Sequence, residues 1–428
     1  MKAIFRKWVL EILRRLAQRK LKRVRPQIIG VTGSAGKTSC KEAIFEVLSR
    51  RYKVKKSEKN LNSEFGTVLT ILGLSSGYSS VWGWASVLAR ALLDALKDTL
   101  KGAEPYDMLI LEMGVDKPGD MDEILKVFAP DIMVFLNVKA VHLGEKQFAN
   151  RQAVFEEKSK AALAVPKGGW VILNKDDNFV RGLAGHTPAN ALTIGIEEEA
   201  DLRATNVEMS VAGLKFNLEY EGKSVEVVCP EVLGRSHVAL ILSAIAVGFI
   251  EGVPLKTIAA ALNEFRLPPG RMNKIEGKGG SLILDSTYNA SPDTTEAALE
   301  ILGMFSGRKI AALGTMNELG ELSESEHLKI GKMATEYADM LIAVGERAKE
   351  LAEGAQRGGM SSSMIHTFRT SKEAGAFLAN ILDKHDTVLA KGSQNGVRME
   401  HLVKLCMKNP EDARKLLVRQ EPYWLRLS

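Results

Sequence analysis

From its first residues the chain places apolar side chains at helical spacing: Ile4, Phe5, Trp8, Val9, Ile12, Leu13 and Leu16 form a stripe opposed by Arg and Lys. After Gln27 the texture changes. Short apolar runs at 28–32, 108–113, 132–138 and 171–173 alternate with helical stretches, as strands buried in a parallel α/β sheet do. Between residues 200 and 230 the period becomes two, with Leu214, Phe216, Leu218 and Tyr220 on one face and a Glu221-Gly222-Lys223 turn, which predicts a small antiparallel excursion. Helical texture over 238–265 stops at Leu267-Pro268-Pro269-Gly270, since two prolines and a glycine cannot continue a helix. Beyond that linker, runs at 282–284, 310–313, 341–344 and 388–390 again alternate with helices and predict a second doubly wound, Rossmann-like domain. The expected organisation is a basic amphipathic helix over 1–26, a first α/β domain over 27–268 and a carboxy-terminal domain over 271–428.

A second helical stripe runs through Val81, Trp82, Trp84, Val87, Leu88, Ala91, Leu92, Ala95, Leu96 and Leu100, after a Ser/Gly-rich stretch at 75–80. No run reaches the roughly 18 apolar residues that would span a bilayer. Arginines interrupt every candidate signal-peptide core. Two readings of residues 1–26 and 81–100 stay open: interfacial helices lying on an anionic membrane surface, or helices packed on their own protein.

Composition narrows the class. With 45% apolar and 26% charged residues the chain is globular rather than disordered. Its three cysteines, Cys40, Cys229 and Cys406, are too few and too scattered for a disulfide framework and fit a reducing, cytoplasmic compartment, with the inner face of the membrane as the alternative address. The net charge of +6 is local: residues 1–26 carry ten Lys/Arg against Glu11 alone, so the remainder sums to about −3. A general nucleic-acid surface is thereby excluded.

The most specific local chemistry lies at Ile28-Ile29-Gly30-Val31-Thr32, which runs into Gly33-Ser34-Ala35-Gly36-Lys37-Thr38-Ser39 and a helical pattern. Strand, glycine-rich turn and helix start are the parts of a phosphate cradle. Backbone N–H groups and the helix dipole face the anion, Lys37 reaches terminal phosphates, and the Thr38 hydroxyl can bind Mg²⁺. Valine at 31 makes this the shorter TGxxGKT form.

That loop and the motifs after it resemble the Mur ligase superfamily, most closely its MurF type, which adds D-alanyl-D-alanine to a UDP-muramoyl tripeptide. The matching pieces come in family order: 32–39; Asn60-Leu61-Asn62-Ser63-Glu64-Phe65-Gly66; Leu111-Glu112-Met113-Gly114; 137–143; the helix around Lys158; Asn174-Lys175-Asp176-Asp177; Pro269-Gly270-Arg271; Tyr288-Asn289-Ala290-Ser291-Pro292; 313–321; and Lys391-Gly392-Ser393. The resemblance implies an ATP-dependent carboxylate–amine ligase that passes through an acyl phosphate and acts on small peptide and amino-acid substrates of the cell wall. It implies ATP held by Gly33, Ser34, Ala35, Gly36, Lys37, Thr38 and Ser39, with Arg271 and Asn289 reaching it from the second domain. It also implies two Mg²⁺ ions on Thr38, Glu112, His142 and a carbamylated lysine, for which Lys158 is preferred to Lys160.

The chain departs from the family at Ser236, His237 and Leu240, where His and two Asn are usual, at Thr315, usually Asp, and at Ser291, usually Asn. MurF-type enzymes also place a uridine-nucleotide domain before the phosphate loop, where this chain has 26 residues of basic helix. UDP recognition is therefore not carried over. A folylpolyglutamate-synthase-like ligase and a non-catalytic scaffold of the same fold are the alternatives.

Overall fold

The computed structural model describes residues 3–57, 63–75, 81–139, 147–394 and 396–426. The chain divides into two compact units: Met1–Val207 with Phe216–Val228 and Ser236–Phe265, and Arg266–Ser428 with Glu208–Lys215 and Cys229–Arg235.

The first unit runs α1 (Ala3–Val24), β1 (Gln27–Thr32), α2 (Lys37–Leu48), β2 (Val54–Lys56), α3 (Glu64–Leu72), α4 (Val81–Lys101), β3 (Met108–Glu112), α5 (Asp120–Leu125), β4 (Ile132–Phe135), α6 (Arg151–Leu163) and β5 (Trp170–Asn174). The chain continues through β6 (Asn190–Gly195), β7 (Leu202–Ser210), β8 (Gly213–Tyr220), β9 (Lys223–Cys229), α7 (Val238–Ile250) and α8 (Leu255–Glu264), with Glu208–Lys215 and Cys229 counted in the second unit. The sheet order is β2-β3-β1-β4-β5-β6-β7-β8-β9, and every pairing from β2 to β7 is parallel. β3 and β4 are buried at every position, because helices cover both faces of a parallel sheet and leave no solvent side for polar residues. The β4 run is shorter than its apolar sequence, stopping at Phe135 so that Leu136 and Asn137 turn toward the phosphate loop.

Over 202–229 the expected excursion is present: Leu214, Phe216 and Leu218 are buried while Lys215 and Asn217 between them are not. The turn between β8 and β9 places Glu221 and Gly222 at φ of 47° and 72°. Positive φ at both central residues matches the right-handed twist of a hairpin.

Val9 and Leu13 of the amino-terminal stripe are buried in the protein, whereas Trp8 is exposed. Val9, Leu10, Leu13 and Ala17 of α1 are buried in one cluster with Phe65, Val68, Trp84 and Val87 from α3 and α4. Arg14 pairs with Glu123 at 2.6 Å, and Gln18 donates to the Lys126 carbonyl at 2.7 Å. Replacing the fully buried Leu13 by Ala is expected to cost about 2–5 kcal/mol, read as a lower denaturant midpoint for the first unit. Had α1 only lain on a lipid surface, the same change would leave that midpoint where it was. The second stripe does not form one face. Trp84, Val87 and Ala91 turn inward, whereas Leu92, Leu96 and Leu100 are exposed. No described helix is long and apolar enough to cross a membrane.

The second unit contains β10 (Asn273–Glu276), β11 (Leu282–Ser286), α9 (Pro292–Gly303), β12 (Lys309–Gly314), α10 (Ser323–Tyr337), β13 (Met340–Val344), α11 (Ala348–Arg357), β14 (Ile365–Phe368), α12 (Ser371–Ile381), β15 (Thr387–Lys391) and α13 (Glu400–Cys406). Its sheet order is β10-β11-β15-β12-β13-β14, parallel except for the antiparallel β10 edge. Apolar clusters lie on both faces. Chain order reverses direction beside β15, which places loops from β11 and β12 at the carboxyl ends where α/β sheets bind ligands.

Candidate active site

Between β1 and α2 the chain must reverse tightly and still leave its amide groups facing outward. Gly33 and Gly36 do this at φ of 149° and 86°, a left-handed range costly for any side chain. A Cβ on Gly33 would also approach Leu136 Cβ to 3.1 Å. Asn137 at the end of β4 fixes the loop's shape: its carbonyl accepts from Ser34 N–H and its Oδ1 from Ala35 N–H, both at 2.9 Å, while its Nδ2 donates to Ala35 O at 3.1 Å. The α2 amino terminus has no side-chain cap. Its first-turn N–H groups and dipole are thus arranged for an anion.

Two lysines converge on one oxygen of this loop. Lys37 donates to the Gly33 carbonyl at 2.8 Å, and Lys158, coming from α6, reaches the same oxygen at 3.3 Å. The Lys158 side chain is almost wholly buried, and burial, aided by the Lys37 charge, pulls its pKa down to about 7 against the opposing influence of Asp116 and Glu157. Lys160, two residues on, is different: its ammonium pairs with Asp122 at 2.6 Å and Glu157 at 2.8 Å, and those hydrogen bonds raise its pKa.

Beside the lysines, Thr38 Oγ1 donates to Glu112 Oε2 at 3.2 Å. Glu112 is buried at the end of β3, and its Oε1 lies 3.1 Å from Lys41 Nζ yet accepts no hydrogen bond among the described residues. Lys41 directs its bond to the Ser57 carbonyl at 2.6 Å. A buried carboxylate oxygen with unused acceptor capacity, next to a hydroxyl, suits a hard divalent cation such as Mg²⁺. Among the described residues no group of three His, Cys, Asp or Glu side chains is set to hold a metal. A cation here would complete its shell with phosphate oxygens and water. His142, the other expected ligand, lies outside the described residues, as do Asn60, Leu61 and Asn62.

Arg271 and Asn289 belong to the second unit and form their own cluster. Gly270, at φ 73°, lets the chain pass within reach of β11, where a Cβ would meet Tyr288 N at 2.8 Å. The Arg271 guanidinium then lies 4.0 Å from the centre of the Tyr288 ring. Lys391, buried at the end of β15, donates to Asn289 O at 3.0 Å and Ser286 Oγ at 3.3 Å. Ser393 joins two loops: its Oγ accepts from Asn317 N–H at 2.8 Å and donates to Ala290 O at 3.3 Å. Ser291, where the family usually has Asn, caps α9 in a reciprocal box with Thr294. Thr315, where Asp is usual, accepts from Arg347 N–H at 3.3 Å.

Sequence reasoning gave no role to Asn137, Lys41, Lys391 or His327. Lys41 follows Lys37 by four residues and so shares its helix face, a signal that could have found it. His327 on α10 is buried, accepting from Met316 N–H at 2.9 Å through Nε2, so its Nδ1–H donates to Ser323 O at 2.5 Å. This neutral ring fixes the loop after β12. Burial lowers its pKa, with Arg347 adding to the effect against Ser323 O, Glu350 and Glu326. A depressed folded-state value means the stabilisation is present above the unfolded pKa of about 6.5 and is lost as pH falls through the lower folded value. The drop in melting temperature between about pH 7.5 and 5.5 should therefore be smaller in His327→Leu than in the parent chain.

Comparisons with known proteins agree over both units. A Mur ligase middle domain model matches residues 31–248, and a model described as Mur ligase, glutamate ligase domain matches 270–394. The UDP-N-acetylmuramoyl-tripeptide–D-alanyl-D-alanine ligase of Bacillus subtilis is 26% identical over 404 residues, covering 94% of this chain and 80% of that protein. A MurF crystal structure from Acinetobacter baumannii superposes with TM-score 0.78 at 28% identity, covering 91% of this chain and 79% of the other. MurF from Thermotoga maritima in complex with ADP gives TM-score 0.72 at 26% identity, covering 95% and 84%.

Proposed function

The chain belongs to the Mur ligase family of ATP-dependent amide-forming ligases, and on that premise we propose that it adds D-alanyl-D-alanine, or a similar dipeptide or amino acid, to a cell-wall peptide precursor. One observation carries the reading: Lys37 turns back from the uncapped start of α2 to the Gly33 carbonyl, beside the Thr38–Glu112 pair and with the Lys158 amine 3.3 Å from the same oxygen. A lysine cation at an uncapped helix start, next to a hydroxyl–carboxylate pair, suits a nucleotide phosphate and its cation.

In this proposal residues 27–268 form the ATP-binding domain and 271–428 the second domain. The N–H groups of 33–39 cradle the triphosphate. Lys37 binds the phosphoryl group as it moves to the acceptor carboxylate, lowering the charge the carboxylate oxygen must approach. Thr38 and Glu112 hold one Mg²⁺; His142 and a carbamylated Lys158 hold a second. When bound, these ions neutralise phosphate charge. Carbamylation needs an unprotonated amine, which the low Lys158 pKa supplies, whereas the ion-paired Lys160 stays charged. Arg271 and Asn289 contribute to nucleotide binding from the second unit. The amine then attacks the acyl carbon, forming the amide C–N bond as the bond from that carbon to the phosphate oxygen breaks, and the nitrogen gives up one proton to water or to the departing phosphate. The proposal also places the enzyme in the cytoplasm at the inner face of the membrane, supported by the basic α1 and the outward leucines of α4.

The test is incubation with UDP-N-acetylmuramoyl tripeptide, D-alanyl-D-alanine and ATP, read by mass spectrometry. Formation of the pentapeptide with one phosphate released per amide is the expected result. ATP binding with no amide product from this or related acceptors would overturn it.

A further inference from the structure

Four of the large apolar side chains exposed among the described residues, Leu92, Leu93, Leu96 and Leu100, fall within nine positions of one helix, at 50–75% exposure. At helical spacing they share one side of α4, with Ala85 and Ala89 in the same stripe. The opposite side is fully used, since Trp84, Val87 and Ala91 lie in the core. A helix so apolar on its solvent side is not explained by folding, because single-chain packing is already satisfied by the inner face.

Cations surround this stripe. Arg90, Lys97 and Lys101 are exposed along one flank of the same helix. On the other flank Arg23 of α1 donates to Thr99 at 3.0 Å, and α1 runs alongside with Arg15, Arg19, Lys22 and Arg25 exposed. Trp8, also on α1, is 71% exposed. Residues 1–26 hold ten Lys/Arg against one acid while the remainder sums to about −3, and the exposed cations of α1 named above lie beside α4, on whose surface Asp94 is an exposed acid. Leucines flanked by Lys and Arg fit an interface between acyl chains and anionic headgroups.

Resting on the membrane-side placement of the proposed function, we propose that the outer face of α4, with the exposed cations of α1, docks on anionic lipid bilayers. Val9, Leu10, Leu13 and Ala17 of α1 are not the anchor, because they are inside the protein. Docking would bring the first unit to a lipid-linked or membrane-adjacent acceptor.

The experiment uses the full chain and co-sedimentation with vesicles of phosphatidylglycerol in phosphatidylcholine, or of phosphatidylcholine alone. Binding to the anionic vesicles is expected, weakening with added salt. It should fall by about tenfold or more in Leu93→Ser/Leu96→Ser, whose melting temperature is unchanged because neither side chain is in the core. The double variant should retain full amide formation on soluble substrates, so loss of docking and failure of the ligase reading are separately visible. Three results would each overturn the docking: no anionic-vesicle binding by the parent chain, equal binding to neutral vesicles, or unchanged binding by the variant. A solution dimer that the double variant dissociates, without vesicle binding, would assign the face to a second copy of the chain instead.

Discussion

Lys37→Ala should lower the rate of amide formation about a thousandfold while the protein still folds. The side chain leaves the α2 start to reach the Gly33 carbonyl, and three hydrogen bonds with Asn137 hold the loop besides that one. Removing it therefore deletes a positive charge from the phosphate site without unfolding the cradle. The interaction strengthens as the phosphoryl group passes to the carboxylate, so kcat should fall more than the apparent KM for ATP rises. Lys37→Arg should recover little, because a planar guanidinium cannot occupy the place of a point-like ammonium in a glycine-bounded turn. Initial rates with a melting curve as control decide it. A variant within tenfold of the parent rate would remove Lys37 from the chemistry.

The second large effect is expected at Lys158. Its amine is buried beside the phosphate loop with a pKa of about 7, so near neutrality a substantial fraction is unprotonated and open to CO₂. Nitrogen attacks the carbon and a proton is released, leaving a carbamate whose oxygens can hold a cation. Lys158→Ala should cost at least about a hundredfold in rate, and millimolar acetate or propionate should restore part of it by filling the space with a carboxylate. Below about pH 7 the amine protonates, which disfavours the carbamate, so bicarbonate should stimulate the parent enzyme most on the acid side. Lys160→Ala should change the rate little, since that ammonium is paired with Asp122 and Glu157 rather than with the phosphate loop. Absence of carboxylate rescue together with a bicarbonate-independent parent rate would assign Lys158 a purely cationic role.

Much of this was legible in the chain. Strands such as 108–112 and 388–390 declare themselves as unbroken apolar runs because both sheet faces are covered. The phosphate loop is legible because its chemistry is local: one turn supplies the glycines, the lysine and the hydroxyl. β10 and β14 were not, being short edge strands with half-buried residues and no strict alternation. The fate of the two amphipathic stripes was equally hidden. Helical spacing says that α1 and α4 each have an apolar side, but only tertiary packing decides that the α1 side faces the core while α4 keeps leucines on its outer side. Asn137 and Lys41 lie in or beside recognisable segments, but their roles come from partners that only the fold brings near, Ala35 and Ser57, and His327 likewise meets Met316 only once α10 packs.

The central claim, that one phosphate site activates a carboxylate for attack by an amine, is tested most directly by isotope transfer. With the acceptor carboxylate labelled with ¹⁸O, each amide bond formed should deliver one labelled oxygen into the released phosphate, because the carboxylate oxygen attacks the γ-phosphorus and leaves with it. Product formation with unlabelled phosphate would show that the carboxylate never carries the phosphoryl group, and would contradict the account.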